Sequence, residues 1–584
     1  MKPWSLLSES PNRNRITSIL IPIVILMVGL ATVTTSCADP DLWGHVQYGR
    51  EVLRDGILPA TATWTFAAEG AAWVNHENIA ELLLALTVDN FGAAALPWMK
   101  LLLAALIFGL IIVSSRTSGA NWLAIAIVVT LVAANIRFHW HFRPQILTYT
   151  SLAVMLAVWQ YVFAHFQTAD DLRRDTSKGR LKWLWLLPPL MCFWANSHGG
   201  FAAGLAILFA YHGLICLQLW WHKGWSAWPE LIHLTLVTMA SAAATLLNPY
   251  GFGLWKFMLD ALRLPRPEIS DWGPLALWTG EAAQFWSLMV VVAISLVFDR
   301  SRLRSSQLII MALLCWQGLS HCRHLSIFAI VCGFWIPQHL HHVLDSAGKT
   351  LTRLQPCGRE EHTAVSPLLL STLLILSLFR LVPHLKSVSV NRSEYPVAAM
   401  QFLHDQQLRG KIVVTFNWAQ YAIGCFAADN RTVSKSRVAV DGRFETCYPR
   451  EITDIYFDFW LGTADPSKRY RSASSSPFDP AAALEFHEPD LVLLSREQRP
   501  SVRTIAQHRD DWVLLYQDGL AQVWGRRSKF GDPHSPLFVP EFDRSIGDST
   551  QQGELAWPAF PTDRSGDERL TLKHRIEPTL ERRL

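Results

Sequence analysis

The sequence predicts an α-helical polytopic membrane protein of about eleven transmembrane helices, followed by a C-terminal extracytoplasmic α/β domain. Three observations predict it. Half of the 584 residues are hydrophobic and only 17% are charged, against about a quarter in soluble proteins. Apolar runs long enough to approach a bilayer crossing recur from Ile16 to Val382. After Pro383 the pattern changes to short β-rich runs separated by polar turns.

The first run, Ile16 to Ser36, follows Lys2, Arg13 and Arg15 and exceeds the length of a usual signal core, which favours a retained helix starting on the cytoplasmic side. Further runs lie near 96–114, 121–135, 145–165, 183–195, 201–221, 232–247, 286–298, 307–320, 325–338 and 365–382. Several are shorter than the roughly 20 residues of a straight crossing. Short cytoplasmic loops are enriched in Lys and Arg. With a cytoplasmic N-terminus, that side receives Arg116, the group Arg173, Arg174, Lys178, Arg180 and Lys182, then Lys223, Arg300, Arg302 and Arg304, and finally Lys349, Arg353 and Arg359. Lys256, Arg263 and Arg266 in one outer loop are exceptions. An odd number of spans puts everything after Pro383 outside, in the periplasm if this is an inner membrane.

The domain boundaries expected from this pattern are 1–383 for the transmembrane part, with an outer loop at 37–95, then 384–527 for the α/β domain. A helix is expected over 396–407 and strands over 411–416, 490–494, 512–516 and 521–524. Residues 528–584 lack periodic apolar positions and are expected to be disordered. The net charge of +4 and the absence of a basic patch argue against nucleic acid. Nine cysteines show no CxxC or Cys/His ligand spacing, so neither a zinc motif nor a disulfide framework is indicated, although Cys425 and Cys447 could pair in an oxidising compartment.

The same topology sorts the ionisable residues. Asp39, Asp41, His45, His76, Glu77, Arg137, His139, His141, Arg143, Asn196, His198, Asn248, Asp271, His321 and Arg323 all fall at outer ends of spans or in outer loops. Charges beside a membrane are costly unless they pair or line a wet cavity, so their gathering on one face marks a candidate site. In CADPDLWGH, Asp41, His45 and Tyr48 share one face of a helix over 41–54, and the two acids equally suit N-capping. In RFHWHFRPQ, two arginines and two histidines stand within seven residues where the cation rule disfavours them. A phosphate, lipid head groups or the loop acids would account for them. Asn196-Ser-His198-Gly-Gly closes a short apolar run and suits either a recessed cavity floor or a plain helical hairpin. His76-Glu77 adds a second acid and imidazole pair. Carboxylates here could hold a divalent cation, but no acidic cluster demands one. Interfacial belts explain most of the 26 tryptophans, and sugar stacking is their other use.

These segments, namely DPDLWGHVQYGREVLRDGILP, WVNHENIAELLL, FRPQ, NSHGGF, LLNPYG and VDGRFETCY, together resemble the bacterial polytopic glycosyltransferases of the GT-C type across most of 37–527. The resemblance implies a sugar donor linked to polyprenyl phosphate, a lipid, glycan or protein acceptor, and catalysis by a first-loop carboxylate. It makes Asp39 or Asp41 the candidate base, with His45 beside them. Arg137, Arg143 and Arg323 become candidate phosphate contacts, and His76, Glu77, His141, Asn196 and His198 candidate substrate contacts. A transporter or flippase of a lipid-linked or anionic solute, or an envelope-assembly scaffold, are the alternatives.

Overall fold

The computed structural model describes residues 11–163, 178–299, 304–354, 367–429 and 436–563. Lys2, Arg173, Arg174, Arg300, Arg302 and Arg359 of the cation pattern, and the tail after 563, lie outside them. The chain divides into two compact units, 1–36 with 75–388, and 37–74 with 389–584.

The first unit is a helix bundle. Its helices are α1 (Pro11–Val33), α3 (Asn78–Phe91), α4 (Ala95–Thr117), α5 (Trp122–Ile136), α6 (Gln145–Phe163), α7 (Leu187–Ala195), α8 (Phe201–Lys223), α9 (Trp228–Ala244), α10 (Phe252–Arg263), α11 (Gly280–Phe298), α12 (Ser305–Ser320), α13 (Leu325–Leu354) and α14 (Pro367–His384). Each of the eleven apolar stretches read from the sequence overlaps one of them within the described residues. By length and composition, seven segments among the described residues can cross a membrane, and one of these, Phe201–Ala244, holds both α8 and α9. α1 and α12 contain shorter apolar helices, Ile19–Val33 and Ser305–Ser320. α7 has nine residues. At 1.5 Å per residue it covers about 14 Å, under half of a hydrocarbon core of about 30 Å.

Local chemistry sets several helix starts. Asn121 Oδ1 accepts the Ala124 N–H at 2.8 Å to begin α5, and Thr279 Oγ1 accepts the Ala282 N–H at 3.2 Å to begin α11. α5 is buried along Ile125, Val128, Val129 and Val132 and packs on α1, α11 and α13. Ile327 to Ile336 of α13 are almost wholly buried, as a central helix of a bundle requires.

The second unit is α/β. A six-stranded sheet runs in the order β3-β2-β4-β6-β5-β7, formed by β2 (Lys411–Val414), β3 (Arg437–Val438), β4 (Leu491–Ser495), β5 (Trp512–Gln517), β6 (Ala521–Arg526) and β7 (Ser545–Ile546). β2 pairs in parallel with β3 and β4, while β4–β6 and β6–β5 are antiparallel. β4 is buried at every position, as a central strand covered on both faces should be. β1 (Ser389–Asn391) pairs with β8 (Glu554–Ala556). Helices α15 (Val397–Asp405), α16 (Ala419–Ala428), α17 (Arg450–Leu461) and α18 (Arg499–Gln507) accompany the sheet. Arg469, fully buried, donates to Asp454 at 2.7 Å and to Asp458 at 2.6 Å, which fastens the irregular 463–480 segment to α17.

Three expectations change. The first part of the outer loop, residues 37–74, belongs to the α/β unit and not to the transmembrane one. It contains α2 (Leu42–Asp55), which packs on α16, and it joins the unit through bridges of Cys37 to Ser389 and Thr65 to Val438. Residues 528–563 are ordered: β7 and β8 find strand partners, Trp43 Nε1 donates to the Pro558 carbonyl at 2.9 Å, and Tyr421 Oη donates to that of Ala559 at 2.7 Å. Backbone pairing and acceptors hold this segment, so it needs no apolar periodicity. Cys425 and Cys447 are both buried and unbridged. Burial pushes the Cys447 thiol up to about 12, and that of Cys425 further still, so both behave as inert apolar groups.

Candidate functional site

In the α/β unit the first-loop acids divide their work. Asp39 is buried, and its Oδ1 accepts the Asp41 N–H at 3.0 Å, an Asx turn that sets up α2. Asp41 occupies the N-cap position of α2 yet makes no side-chain capping bond. Capping therefore does not account for its carboxylate. That carboxylate lies against the backbone of Gly442: a Cβ there would stand 2.5 Å from Asp41 Oδ1 and 3.0 Å from Gln420 Nε2. Gly442 is thus required for space and not for a left-handed turn. His45, one turn on from Asp41, is buried.

The VDGRFETCY segment holds this loop. Arg443 and Asp441, both buried, form a two-pronged ion pair, with Nε to Oδ1 at 3.0 Å and Nη2 to Oδ2 at 2.7 Å. Arg443 Nη2 also donates to the Thr63 carbonyl at 2.6 Å, and Tyr448 Oη donates to Asp441 Oδ2 at 2.6 Å. The guanidinium sits 4.5 Å from the ring centre of Tyr48 and 4.7 Å from that of Trp73. Burial works against the Arg443 charge, but Asp441 and the surrounding groups more than offset it and hold its pKa well above the usual arginine value. Burial also keeps the Tyr48 phenol far above its ordinary range, so this third member of the predicted Asp41, His45, Tyr48 face is a neutral packing group.

In the helical unit a second cluster forms around His198. Gly200 N–H donates to His198 Nδ1 at 3.0 Å, and Thr148 Oγ1, which accepts Trp194 Nε1–H at 2.9 Å, meets the same nitrogen at 2.8 Å. With Nδ1 accepting, the neutral ring carries its proton on Nε2. Nε2 faces Arg323 Nη2 at 3.4 Å and Glu77 Oε1 at 3.7 Å, the latter beyond hydrogen-bond range. Arg143, Asp271 and Glu77 lie within electrostatic reach of Arg323, whose guanidinium stands 5.5 Å from the Trp272 ring centre. His76 approaches the other glycine of the motif: a Cβ on Gly199 would lie 3.1 Å from its Nε2, and one on Gly200 would lie 2.4 Å from Thr148 Oγ1. Both glycines in NSHGGF therefore make room for side chains that position the imidazoles.

Other members of the predicted set do not join this cluster. Asn196 gives its amide hydrogens to the Cys192 and Leu247 carbonyls at 2.8 and 2.9 Å, and its own carbonyl accepts Ile79 N–H, so it fastens α3 and α7 to the turn after α9. Asn248 builds an Asx turn, accepting Tyr250 N–H at 2.8 Å. The RFHWHFRPQ segment splits: Arg137 and His141 are exposed, His141 donating to the Phe138 carbonyl at 2.8 Å, and His139 turns inward to Glu281. Arg143 of that segment lies within electrostatic reach of Arg323. Thr148, Trp194 and Glu281 were not legible as site residues, because no local motif surrounds them.

No family model and no curated protein matches the sequence. Solved structures do. The oligosaccharyltransferase AglB of Archaeoglobus fulgidus, in complex with an inhibitory peptide and a dolichol-phosphate, matches at 11% identity with a TM-score of 0.52, over 84% of this chain and 70% of that one. The apo form of the A. fulgidus oligosaccharyltransferase matches at 12% identity and 0.52, over 83% and 70%. ArnT from Cupriavidus metallidurans, bound to undecaprenyl phosphate, matches at 12% and 0.48, over 91% and 100%. The two oligosaccharyltransferase matches show likeness of fold: a helical bundle with apolar helices long enough to cross a membrane, and an α/β unit.

Proposed function

We propose that this multi-pass membrane protein is a glycosyltransferase that moves a sugar from a polyprenyl-phosphate-linked donor to a lipid, glycan or protein acceptor on the outer face of an inner membrane. One observation carries the reading: His198 Nε2 and Arg323 Nη2 converge to 3.4 Å on the GT-C fold. A phosphate oxygen can accept from both when His198 carries its proton on Nε2, and it is suited to a guanidinium fork. Arg143 adds charge, while Thr148 orients the imidazole and Glu77 faces its other nitrogen at 3.7 Å.

The chemistry follows as a single displacement. The acceptor oxygen bonds to the anomeric carbon as the bond from that carbon to the phosphate oxygen breaks. The hydroxyl proton passes to a carboxylate, for which we assign Asp41, with Asp39 and His45 shaping its turn. The departing electron pair stays on the phosphate, where the cations offset it. Inversion at the sugar carbon results. The first-loop carboxylates are also the groups that would hold a divalent cation if the reaction uses one.

Arg323→Gln and Arg143→Gln are expected to raise the KM for a purified polyprenyl-phosphate sugar by about tenfold or more, since charge-assisted hydrogen bonds are worth roughly 1.5–3 kcal/mol. Unchanged donor dependence in both variants removes them from the carrier site. The proposed orientation, with the N-terminus cytoplasmic and the α/β unit periplasmic, has its own check. Reporter fusions after Pro383 should be active only outside the cytoplasm, and fusions active only inside would reverse it.

A further inference from the structure

His139, Glu281 and Cys322 are distant in sequence and come together at one end of the helical unit. His139 ends the turn after α5, Glu281 lies in the first turn of α11, and Cys322 sits between α12 and α13. One ligand atom from each lies within 4.8 Å of the other two, and His139 Nε2 is already 2.7 Å from Glu281 Oε1. His139 and Cys322 are buried. As a plain hydrogen bond, the His139–Glu281 pair would fasten α5 to α11 and leave the thiol a bystander near the Asp271 carbonyl, at 3.5 Å. That account omits a second observation. His324, two residues beyond Cys322, has a buried Nδ1 with no hydrogen-bond partner, and electrostatically it feels both His139 and His321. A buried imidazole nitrogen without a partner beside a His, Glu and Cys set is what a metal ligand looks like before the ion arrives.

We infer that His139, Glu281 and Cys322 form a site for a borderline-soft divalent cation of the Zn²⁺ class, with His324 or water completing the tetrahedron. The donor set decides the class: imidazole nitrogen and thiolate sulfur suit zinc and disfavour the hard ions calcium and magnesium. With bonds of about 2.0–2.3 Å, ligand atoms of a tetrahedral site stand roughly 3.3–3.8 Å apart, so small side-chain rotations close the present spread. Binding costs one proton, since the Cys322 thiol releases it to solvent as the sulfur–metal bond forms. Arg323 lies between Cys322 and His324, so the ion would fix the backbone that presents this arginine. The three ligands are not among the proposed carrier contacts His198, Arg323 and Arg143, although Cys322 adjoins Arg323 in the chain, and metal binding is read independently of transfer.

The test uses the full-length protein purified in detergent without a polyhistidine tag, stripped with a chelator and reloaded with Zn²⁺ or Co²⁺. The expected result is one tightly held zinc per chain, together with a cobalt spectrum containing a thiolate charge-transfer band. Cys322→Ser should lose that band and His139→Gln should lose most of the zinc, while Cys315→Ser retains both. A wild-type protein that holds no zinc after dialysis, or a cobalt complex without the thiolate band, overturns the site. Should the variants fail to fold, the wild-type cobalt spectrum alone decides between these outcomes.

Discussion

Asp41→Asn is expected to lower sugar transfer by about a hundredfold or more while leaving the protein folded and in the membrane. The magnitude is that of a positioned general base, which contributes about 10²–10⁴ to a rate. The selectivity comes from the structure. Asp41 makes no capping bond at the start of α2, so removing its charge does not unseat the helix. Asp39 differs, because its carboxylate oxygen accepts the Asp41 N–H at 3.0 Å. An amide oxygen accepts the same bond, so Asp39→Asn should leave the turn intact and cost far less activity. Turnover of a purified donor, measured at saturating acceptor, separates the two. If Asp41→Asn turns over at the wild-type rate, the carboxylate is not the base. If Asp39→Asn carries the hundredfold loss in its place, the assignment moves two residues upstream and the loop keeps its role.

The sequence makes the helices legible because a bilayer demands long apolar runs, and each such run overlaps a helix. It also makes β2, β4 and β5 legible, since these carry continuous apolar residues, and β6, where apolar residues alternate with Gln522 after a turn. What it hides is every relation set by distant backbone. The bridges of Cys37 to Ser389 and Thr65 to Val438 assign the loop 37–74 to the α/β unit, and no local pattern announces a partner some hundreds of residues away. β3, β7 and β8 are two or three residues long, too short for any alternation to show. Candidate site residues follow the same rule. His198 and Arg323 stood out as charges in apolar sequence, which membranes penalise. Asn196 stood out for the same reason but proves to be a fastener, because a polar side chain at a helix end serves backbone carbonyls as readily as a ligand. The Glu281 partner of His139 could not be found from spacing at all.

Arg443→Met should loosen the loop that carries Asp41. Asp441 is fully buried, and Arg443 is its cationic partner. Removing one member of such a pair leaves an uncompensated charge in the interior and costs about 3–5 kcal/mol. The same change removes the bond to the Thr63 carbonyl and the cation from between Tyr48 and Trp73, so the loss falls on 37–74. Arg50 and Arg54 in α2 provide trypsin sites within that stretch. Where opening is fast relative to cleavage, the cleavage rate follows the opening equilibrium, and 3 kcal/mol corresponds to about a hundredfold acceleration. Native trypsin digestion of the purified protein should show that acceleration at Arg50 and Arg54. The double variant Asp441→Leu with Arg443→Met should be cut far more slowly than the single one, because replacing both members of a buried pair by apolar groups removes the desolvated charge. Equal cleavage of wild type and Arg443→Met would mean that the ion pair does not hold the loop. A double variant cut as fast as Arg443→Met would instead assign the effect to the lost Thr63 and aromatic contacts, with the Asp441 charge playing no part.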